Sequence, residues 1–273
     1  MNRGYTTDGG IYEFPSEAEG EFVSSGRKFL SAVPDRVGQN CLSSPPPLSK
    51  KLAAEVVGTF MFVLVGAGSA VGAGVLLNGN SASLLLVAAL ANGLGLTMAV
   101  SATMGTSGGV LNPAVALGLW VGKKLSSKEL VPYILAELVG ATAAGLVLVA
   151  SFPSALGDPV EWGAPTLNGL LTSWQGMAIE AVLTFVLVVA VYGTAVDPRA
   201  PHIGGLGIGL AVLADVLVAG NLTGAAMNPA RAFGPMIAAG FYPSYWYIYA
   251  VGPIIGGLAA GLVYRYIIEV KQE

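Results

Sequence analysis

The chain has 273 residues, of which 54% are hydrophobic and only 11% are charged, and its formal net charge is −3. Soluble domains carry about 25% charged residues, so this composition argues against a water-facing globule and for a membrane protein with several spans. A single Cys and a single His argue against a disulfide framework, a metal cluster and most Cys- or His-based catalysis. The net charge gives no basis for binding nucleic acid, and we expect neither a metal nor another cofactor.

The first 50 residues differ in composition from the rest of the chain. They contain a Gly-Gly pair, a Pro-Pro-Pro triplet and charges of both signs, but no long apolar run. They also lack the apolar core and small-residue cleavage site of a secretory signal peptide. Residues 1–50 are therefore predicted to be a disordered N-terminal tail.

Six later stretches are long and apolar enough to cross a bilayer as helices, which takes about 20 residues. They lie at roughly 52–77, 82–104, 130–151, 174–196, 203–220 and 244–267. Two further apolar stretches, 112–121 and 228–240, are too short to span, and each begins with Asn-Pro-Ala. Proline suits the first turn of a helix, so both are predicted to be half-helices that enter the membrane and stop.

The two halves of the membrane region resemble each other. Segments 53–60 and 178–185 share Ala, Glu, Val, Thr and Phe at equivalent positions, and segments 107–114 and 223–230 both end in Asn-Pro-Ala. Small residues in the last predicted span of each half also correspond. Gly140, Ala143, Ala144 and Gly145 match Gly256, Ala259, Ala260 and Gly261. With three spans in each half, the second must be inverted relative to the first. Inverted repeats with broken helices are typical of a transport pathway at the bilayer midplane.

The cationic residues indicate the orientation of this arrangement. Twelve of the thirteen Lys and Arg residues fall on one side of a six-span arrangement, and the exception is Arg231. By the positive-inside rule, both termini are predicted to be cytoplasmic. The predicted channel domain covers 51–268, with repeats at about 51–155 and 172–268, and a short cytoplasmic C-terminus follows at 269–273.

Two Asn-Pro-Ala motifs at equivalent repeat positions, with Arg231 directly after the second, form a specific pattern. From residue 51 to about 268, the chain resembles the aquaporin (major intrinsic protein) family. The resemblance implies an all-α membrane protein, an hourglass of six transmembrane helices and two half-helices in an inverted repeat. It also implies a homotetramer in the lipid bilayer, with one pore per subunit that passes water and small neutral solutes.

The motif residues have physical roles in such a pore. Two half-helices that meet at the midplane place two positive dipole ends there, which repels cations. The motif asparagines can cap these helices and point amide donors at a passing water, which orients it and disfavours a proton wire. The motif residues are Asn112, Pro113, Ala114, Asn228, Pro229 and Ala230. The loops before them are predicted to supply a ladder of backbone carbonyls, from Gly108, Gly109, Val110, Leu111, Gly224, Ala225, Ala226 and Met227.

Four positions correspond to the narrowest point of the family's pore: Asn92, Val216, Ala225 and Arg231. Arg231 supplies a fixed charge and hydrogen-bond donors. The other three side chains depart from the strict water-channel pattern, in which a bulky aromatic residue and a histidine narrow the filter. The resemblance therefore implies a wider, less aromatic filter.

The residues next to the filter positions also indicate which solutes the pore is expected to pass. The glycerol-conducting branch usually has Asp directly after the pore arginine and a basic residue four positions later, where this chain has Ala232 and Met236. Asp215 followed by Val216 is similar to the branch of tonoplast intrinsic proteins and ammonia-permeable animal aquaporins, although that branch commonly has His in place of Asn92. Ammonia, urea and hydrogen peroxide are the expected solutes besides water.

Four acidic residues fall within predicted spans. Glu55 and Glu180 occupy equivalent repeat positions, and glutamates there are expected to accept backbone N–H bonds from the half-helix loops. Glu137 and Asp215 are expected to be packing or pore-wall groups. His202, in a predicted cytoplasmic connection, is conceivable as a pH gate, but a solvated loop residue is the favoured interpretation.

Other functions remain open from the sequence. An ion- or proton-coupled secondary transporter also uses inverted repeats and broken helices, and the intramembrane acids favour it. A water-only channel and a closed, adhesive member of the family are further alternatives. An intramembrane enzyme is disfavoured, since neither the His nor the Cys lies in a predicted span.

Overall fold

The computed structural model describes residues 4–5, 11–12, 45–76, 81–201 and 203–269. The chain divides into two units, Met1–Pro45 and Pro46–Glu273. In the first, β1 (Gly4–Tyr5) and β2 (Ile11–Tyr12) form a short antiparallel pair. The rest of the predicted tail as far as residue 44, and also His202, lie outside the described residues.

The regular elements of the second unit, within its described part, are all helical. Its helices are α1 (Leu48–Leu76), α2 (Ser81–Ser107), α3 (Pro113–Val121), α4 (Ser127–Ser151), α5 (Ser154–Gly157), α6 (Ser173–Val191), α7 (Gly204–Thr223), α8 (Pro229–Ala239) and α9 (Ile248–Val263). A 3-10 segment, Asp158–Gly163, follows α5, and the π-helical turns Tyr192–Val196 and Tyr264–Ile268 extend α6 and α9. Among these described elements, α1, α2, α4, α6, α7 and α9 are long and apolar enough to cross a membrane. The prediction of six spans and two half-helices, α3 and α8, is confirmed, and the helix ends differ from the predicted ones by five residues at most.

The inverted repeat is visible in how the helices pack. Each half-helix lies against the last span of the other half, α3 against α9 and α8 against α4. In the first half, a Cβ at Gly140 would overlap the Val56 carbonyl of α1, and in the second, a Cβ at Gly256 would overlap the Ala181 carbonyl of α6. Because only glycine permits these approaches, the same close helix contact recurs in both halves.

Polar and apolar side chains are distributed in the reverse of the usual order for a soluble protein. Large apolar side chains are exposed, as along one face of α2 at Leu86, Leu90, Leu94 and Met98. The buried polar and charged side chains include Glu55, Asn92, Asn112, Glu137, Glu180, Asp215, Asn228 and Arg231. An apolar exterior around a polar interior suits a helix bundle in lipid that encloses a polar pathway.

Candidate pore and selectivity site

The two half-helices begin at the motif asparagines. The Oδ1 of Asn112 accepts from the backbone N–H of Ala114 at 2.9 Å. The Oδ1 of Asn228 accepts from the N–H groups of Ala230 and Arg231 at 2.9 and 3.1 Å. Each asparagine therefore caps its helix, with proline in the first turn, and leaves its amide nitrogen free to act elsewhere.

The same asparagines join the two halves. The Nδ2 of Asn112 donates to the Met227 carbonyl at 2.9 Å, and the Nδ2 of Asn228 donates to the Leu111 carbonyl at 2.8 Å. The N-terminal ends of α3 and α8 consequently lie against each other. These bonds occupy part of the acceptor capacity of two carbonyls assigned to the predicted ladder, so Leu111 and Met227 also serve as the link between the loops.

Two buried glutamates hold the loops before the motifs. Glu55 accepts from the N–H groups of Val110 and Leu111 at 3.1 and 2.7 Å. Glu180 accepts from Ala226 and Met227 at 3.0 and 2.7 Å, and the Thr223 hydroxyl donates to it at 2.7 Å. Both side chains are fully buried. Irregular backbone at membrane depth needs such partners, since the hydrocarbon core of the bilayer supplies no hydrogen bonds.

Two tyrosines that the sequence analysis did not single out also hold these loops. The Tyr133 hydroxyl donates to the Ser107 carbonyl and the Tyr249 hydroxyl to the Thr223 carbonyl, both at 2.9 Å. The Ser107 and Thr223 side chains in turn accept from the N–H groups two residues later. Tyr249 follows Tyr133 in the sequence, and Thr223 follows Ser107, by the same number of residues by which Asn228 follows Asn112. Extending the repeat alignment to the start of α4 and α9 would have found them.

A cavity of about 240 Å³ passes the ends of the half-helices. Asn92 and Ala225 line one part of it, Asn112 and Asn228 another, and Lys124 lies on its wall in the connection between α3 and α4. The loop residues that line it are Gly108, Gly109, Val110, Ala225, Ala226 and Met227, whereas Leu111 and Gly224 do not. Most of the predicted ladder thus borders one cavity.

The four predicted filter residues are all buried, but they do not all border this cavity. Asn92 and Ala225 line it, whereas Val216 and Arg231 are not among its lining residues. The Nη1 of Arg231 donates to the Gly163 carbonyl at 3.0 Å. Arg231 forms no salt bridge with any described residue. It therefore supplies a buried positive charge held by backbone.

Asn92 and the turn that holds Arg231 both pack against helix α1. A Cβ at Gly66 would overlap the Oδ1 of Asn92, and a Cβ at Gly163 would overlap the carbonyl of Ala67, the next residue of α1. Asn92 and the Arg231–Gly163 contact therefore lie beside the same turn of α1.

The carbonyl that holds Arg231 belongs to an unusual turn. Glu161, Trp162 and Gly163 have φ values of 46°, 53° and 76°, so three successive residues are left-handed. The Trp162 indole N–H donates to Asp158 at 2.9 Å, which fixes the turn from one side. Non-glycine residues adopt this conformation only when their surroundings impose it. The bond between Arg231 and the Gly163 carbonyl could not be predicted from the sequence, in which this connecting segment shows only a Gly and a Pro.

Replacing Gly163 by alanine is expected to loosen Arg231 and to raise the ratio of urea to water permeability. The added Cβ would overlap backbone of α1 at a left-handed residue, so the turn and its carbonyl must move. Solute flux into proteoliposomes measures the ratio. Gly169→Ala is the matched control, since nothing lies within 4 Å of a Cβ there; an equal change in both variants would contradict the role of Gly163.

Two buried acids have unpartnered oxygens. Both carboxyl oxygens of Glu137, and Oδ2 of Asp215, form no hydrogen bond within the described part of the chain. Glu137 is fully buried and faces the backbone N–H of Asn112 without reaching hydrogen-bond geometry. Among the described residues, no three His, Cys, Asp or Glu side chains are grouped to hold a metal ion.

A cluster of polar side chains joins the C-terminal ends of α6 and α9. Asp197 accepts from the Tyr264 hydroxyl at 2.7 Å and from the Arg199 guanidinium at 2.9 and 2.5 Å. The rings of Tyr192 and Tyr264 stack with centroids 4.4 Å apart. Hydrogen bonds from Arg199 hold the pKa of the Asp197 carboxyl well below its ordinary value of 3.8. The connection after α6 is thereby tied to α9.

Replacing Asp197 by asparagine is expected to lower the melting temperature at neutral pH. A depressed pKa in the folded state adds stability above the unfolded pKa, and this is lost as pH falls. The difference between wild type and Asp197→Asn should therefore be constant down to about pH 4 and shrink below the ordinary value of 3.8. Thermal unfolding in detergent across this range measures it. A difference that instead disappears between pH 8 and 6 would refute the assignment.

Together, the six spans, the paired half-helices and the cavity between them define a membrane channel. Residues 43–264 match the family described as major intrinsic protein. The chain is 43% identical to aquaporin TIP4-4 of Zea mays over 79% of its own length and 85% of that relative. It is 37% identical to aquaporin AqpM of Methanothermobacter marburgensis over 81% of its length and 98% of that relative. The chain therefore belongs to the major intrinsic protein family and is an aquaporin-type passive channel, not an enzyme.

A solved structure agrees with this fold. The X-ray structure of the aquaglyceroporin from Plasmodium falciparum matches with a TM-score of 0.70, covering 81% of this chain and 97% of that one, at 21% identity. The resemblance extends over nearly the whole solved chain and concerns the fold. Membership of a channel family disfavours the ion-coupled transporter that the intramembrane acids left open.

Proposed function

We propose that the pore conducts water and small neutral solutes, with ammonia, urea and hydrogen peroxide as the candidates, and excludes protons and ions. The observation that carries this proposal is the meeting of α3 and α8, whose asparagine amides bond reciprocally beside the cavity. Two helix N-termini bring positive partial charge to one point, which repels cations. Each Asn amide nitrogen has a second hydrogen, which can bind a passing water.

The filter assignment rests on side-chain size and on the position of Arg231. Val216 and Ala225 are small and apolar, and Asn92 uses one amide hydrogen on the Ala88 carbonyl of its own helix at 2.9 Å. In the proposed filter, the Arg231 guanidinium supplies a donor to the solute, and none of the other three positions carries a bulky aromatic ring. This composition favours solutes somewhat larger than water that can accept hydrogen bonds.

Stopped-flow light scattering on proteoliposomes tests the solute range. An impermeant osmolyte is compared with gradients of urea and ammonium salts, and hydrogen peroxide entry is followed with an enclosed dye. We expect fast shrinkage followed by solute re-entry in wild type, and loss of both in Ala225→Trp. Ala150→Trp, on the exposed surface of α4, is the matched control. Water flux without re-entry of any of these solutes would contradict the proposed range.

We also propose that both termini are cytoplasmic and that the protein assembles as a homotetramer. The positive-inside distribution of Lys and Arg supports the first part. The exposed apolar faces of the spans can contact neighbouring subunits as well as lipid, which is compatible with the second. Labelling of cysteines introduced at Lys123 and Leu170 in sealed vesicles distinguishes the two sides, and light scattering of the detergent complex gives its mass. Labelling of Lys123→Cys from the outside of intact cells would refute the orientation.

A further inference from the structure

A second cavity lies at one end of the bundle and shares Lys124 and Leu125 with the wall of the pore cavity. It is an open concavity of about 710 Å³ between the end of α3, the start of α4 and the end of α9. Its wall carries Lys123, Lys124 and Arg265, together with Trp120 and Glu129. Neither motif asparagine nor any predicted filter residue lines it.

The charges around this cavity do not cancel. Lys124 pairs with Glu269 at 2.5 Å, and Glu129 pairs with Lys51 at 2.7 Å. Lys123 is exposed and Arg265 is half-buried, and neither forms a salt bridge within the described ranges.

The Arg265 side chain is already oriented. Its Nη1 donates to the Val121 carbonyl at 2.9 Å, and the guanidinium lies 4.9 Å from the centroid of the Tyr266 ring. Several of its donors therefore remain for an anion. With Lys123 nearby, the cavity has two cations without a carboxylate partner, which suits a phosphate group.

The surroundings place this cavity at the level of lipid headgroups. Trp120 and Tyr266 are 39% and 70% exposed, and such aromatic residues concentrate at the membrane–water boundary. Ser127 of α4 lines the cavity. On the same helical face below it, at successive intervals of four residues, lie the exposed side chains of Val131, Leu135 and Val139. An apolar stripe thus leads away from the basic cavity along the bundle exterior.

We propose that this cavity binds the phosphodiester headgroup of an anionic glycerophospholipid, with an acyl chain lying along the exposed stripe of α4. Lys123 and Arg265 contact the phosphate. The apolar stripe gives the acyl chain a surface to pack on, which a soluble phosphate would not need. Basic pockets beside transmembrane helices are suited to anionic headgroups. Lys123 and Arg265 do not line the pore cavity, so the proposal does not depend on which solutes the pore passes.

Native mass spectrometry of the detergent-purified full chain tests the proposal, with phosphatidylglycerol and phosphatidylcholine as probes. We expect wild type to prefer phosphatidylglycerol. Lys123→Gln should weaken that preference about fivefold, since one cation near the surface contributes ~1 kcal/mol. Lys123→Gln/Arg265→Gln should weaken it further. Lys128→Gln is the matched control, an exposed lysine of the same region that does not line the cavity.

Three outcomes would overturn the proposal. Equal binding of the two lipids would remove the role of charge. An equal loss in Lys128→Gln and Lys123→Gln would indicate diffuse surface attraction instead of a site. Displacement of the lipid by inorganic phosphate at comparable concentration would identify a soluble anion as the ligand. Lys123→Gln removes an exposed side chain without a salt-bridge partner, so its effect is not confounded by misfolding.

Discussion

Glu180→Ala is expected to abolish water permeability and to destabilise the protein strongly. The carboxylate accepts from the backbone N–H groups of Ala226 and Met227 and from the Thr223 hydroxyl, all in a buried site. Alanine would leave three donors without partners, at about 1–3 kcal/mol each. A whole domain is stable by only about 5–15 kcal/mol, so the loop before the second motif should lose its native conformation.

Thermal unfolding and stopped-flow water flux measure this prediction. Glu180→Gln keeps one acceptor oxygen and should show an intermediate loss of stability. Glu129→Ala is the stability control, because its ion pair with Lys51 is partly exposed and such pairs contribute about 0–1 kcal/mol. Wild-type stability and water flux in Glu180→Ala would show that the loop is held by other contacts.

Arg231→Ala is expected to raise cation leak through the pore and the permeability to urea. Arg231 is 7% exposed, and it forms no salt bridge in the described part of the chain. One unit charge at about 4 Å and an effective dielectric constant of ~20 contributes about 4 kcal/mol. Even a third of this barrier, lost in the variant, would raise cation flux about tenfold.

Voltage-driven cation flux in proteoliposomes measures the effect of Arg231→Ala, with urea entry recorded in parallel. Arg199→Ala makes the same substitution in the connection between α6 and α7 and should leave cation exclusion intact. Unchanged cation flux in Arg231→Ala, with normal water flux, would assign exclusion to the half-helix dipoles alone.

Much of the architecture could be predicted from local sequence because its determinants are local. Runs of apolar residues of membrane length gave the six spans, and Asn-Pro-Ala gave the starts of α3 and α8. The repeat also brought attention to Glu55 and Glu180, whose bonds to the loops depend on side chains at equivalent positions. A pattern that occurs twice constrains the structure more than one that occurs once.

Other features could not be predicted because they depend on contacts between distant segments. The left-handed turn at Trp162 lies in a connection without a repeat partner, and its role follows only from the bond between Gly163 and Arg231. The reciprocal amide bonds likewise require both half-helices in place. The repeat of the motifs predicts only that the Leu111 and Met227 carbonyls belong to the pore ladder, and these bonds are additional to that prediction.

Water is expected to pass between the half-helices while ions and protons do not. Proteoliposomes with an enclosed pH-sensitive dye test it in one preparation, by recording osmotic shrinkage and then proton entry under an imposed membrane potential. We expect shrinkage much faster than in protein-free liposomes, with proton entry at the protein-free rate. Proton entry that rises in proportion to water flux, or shrinkage no faster than in protein-free liposomes, would contradict it.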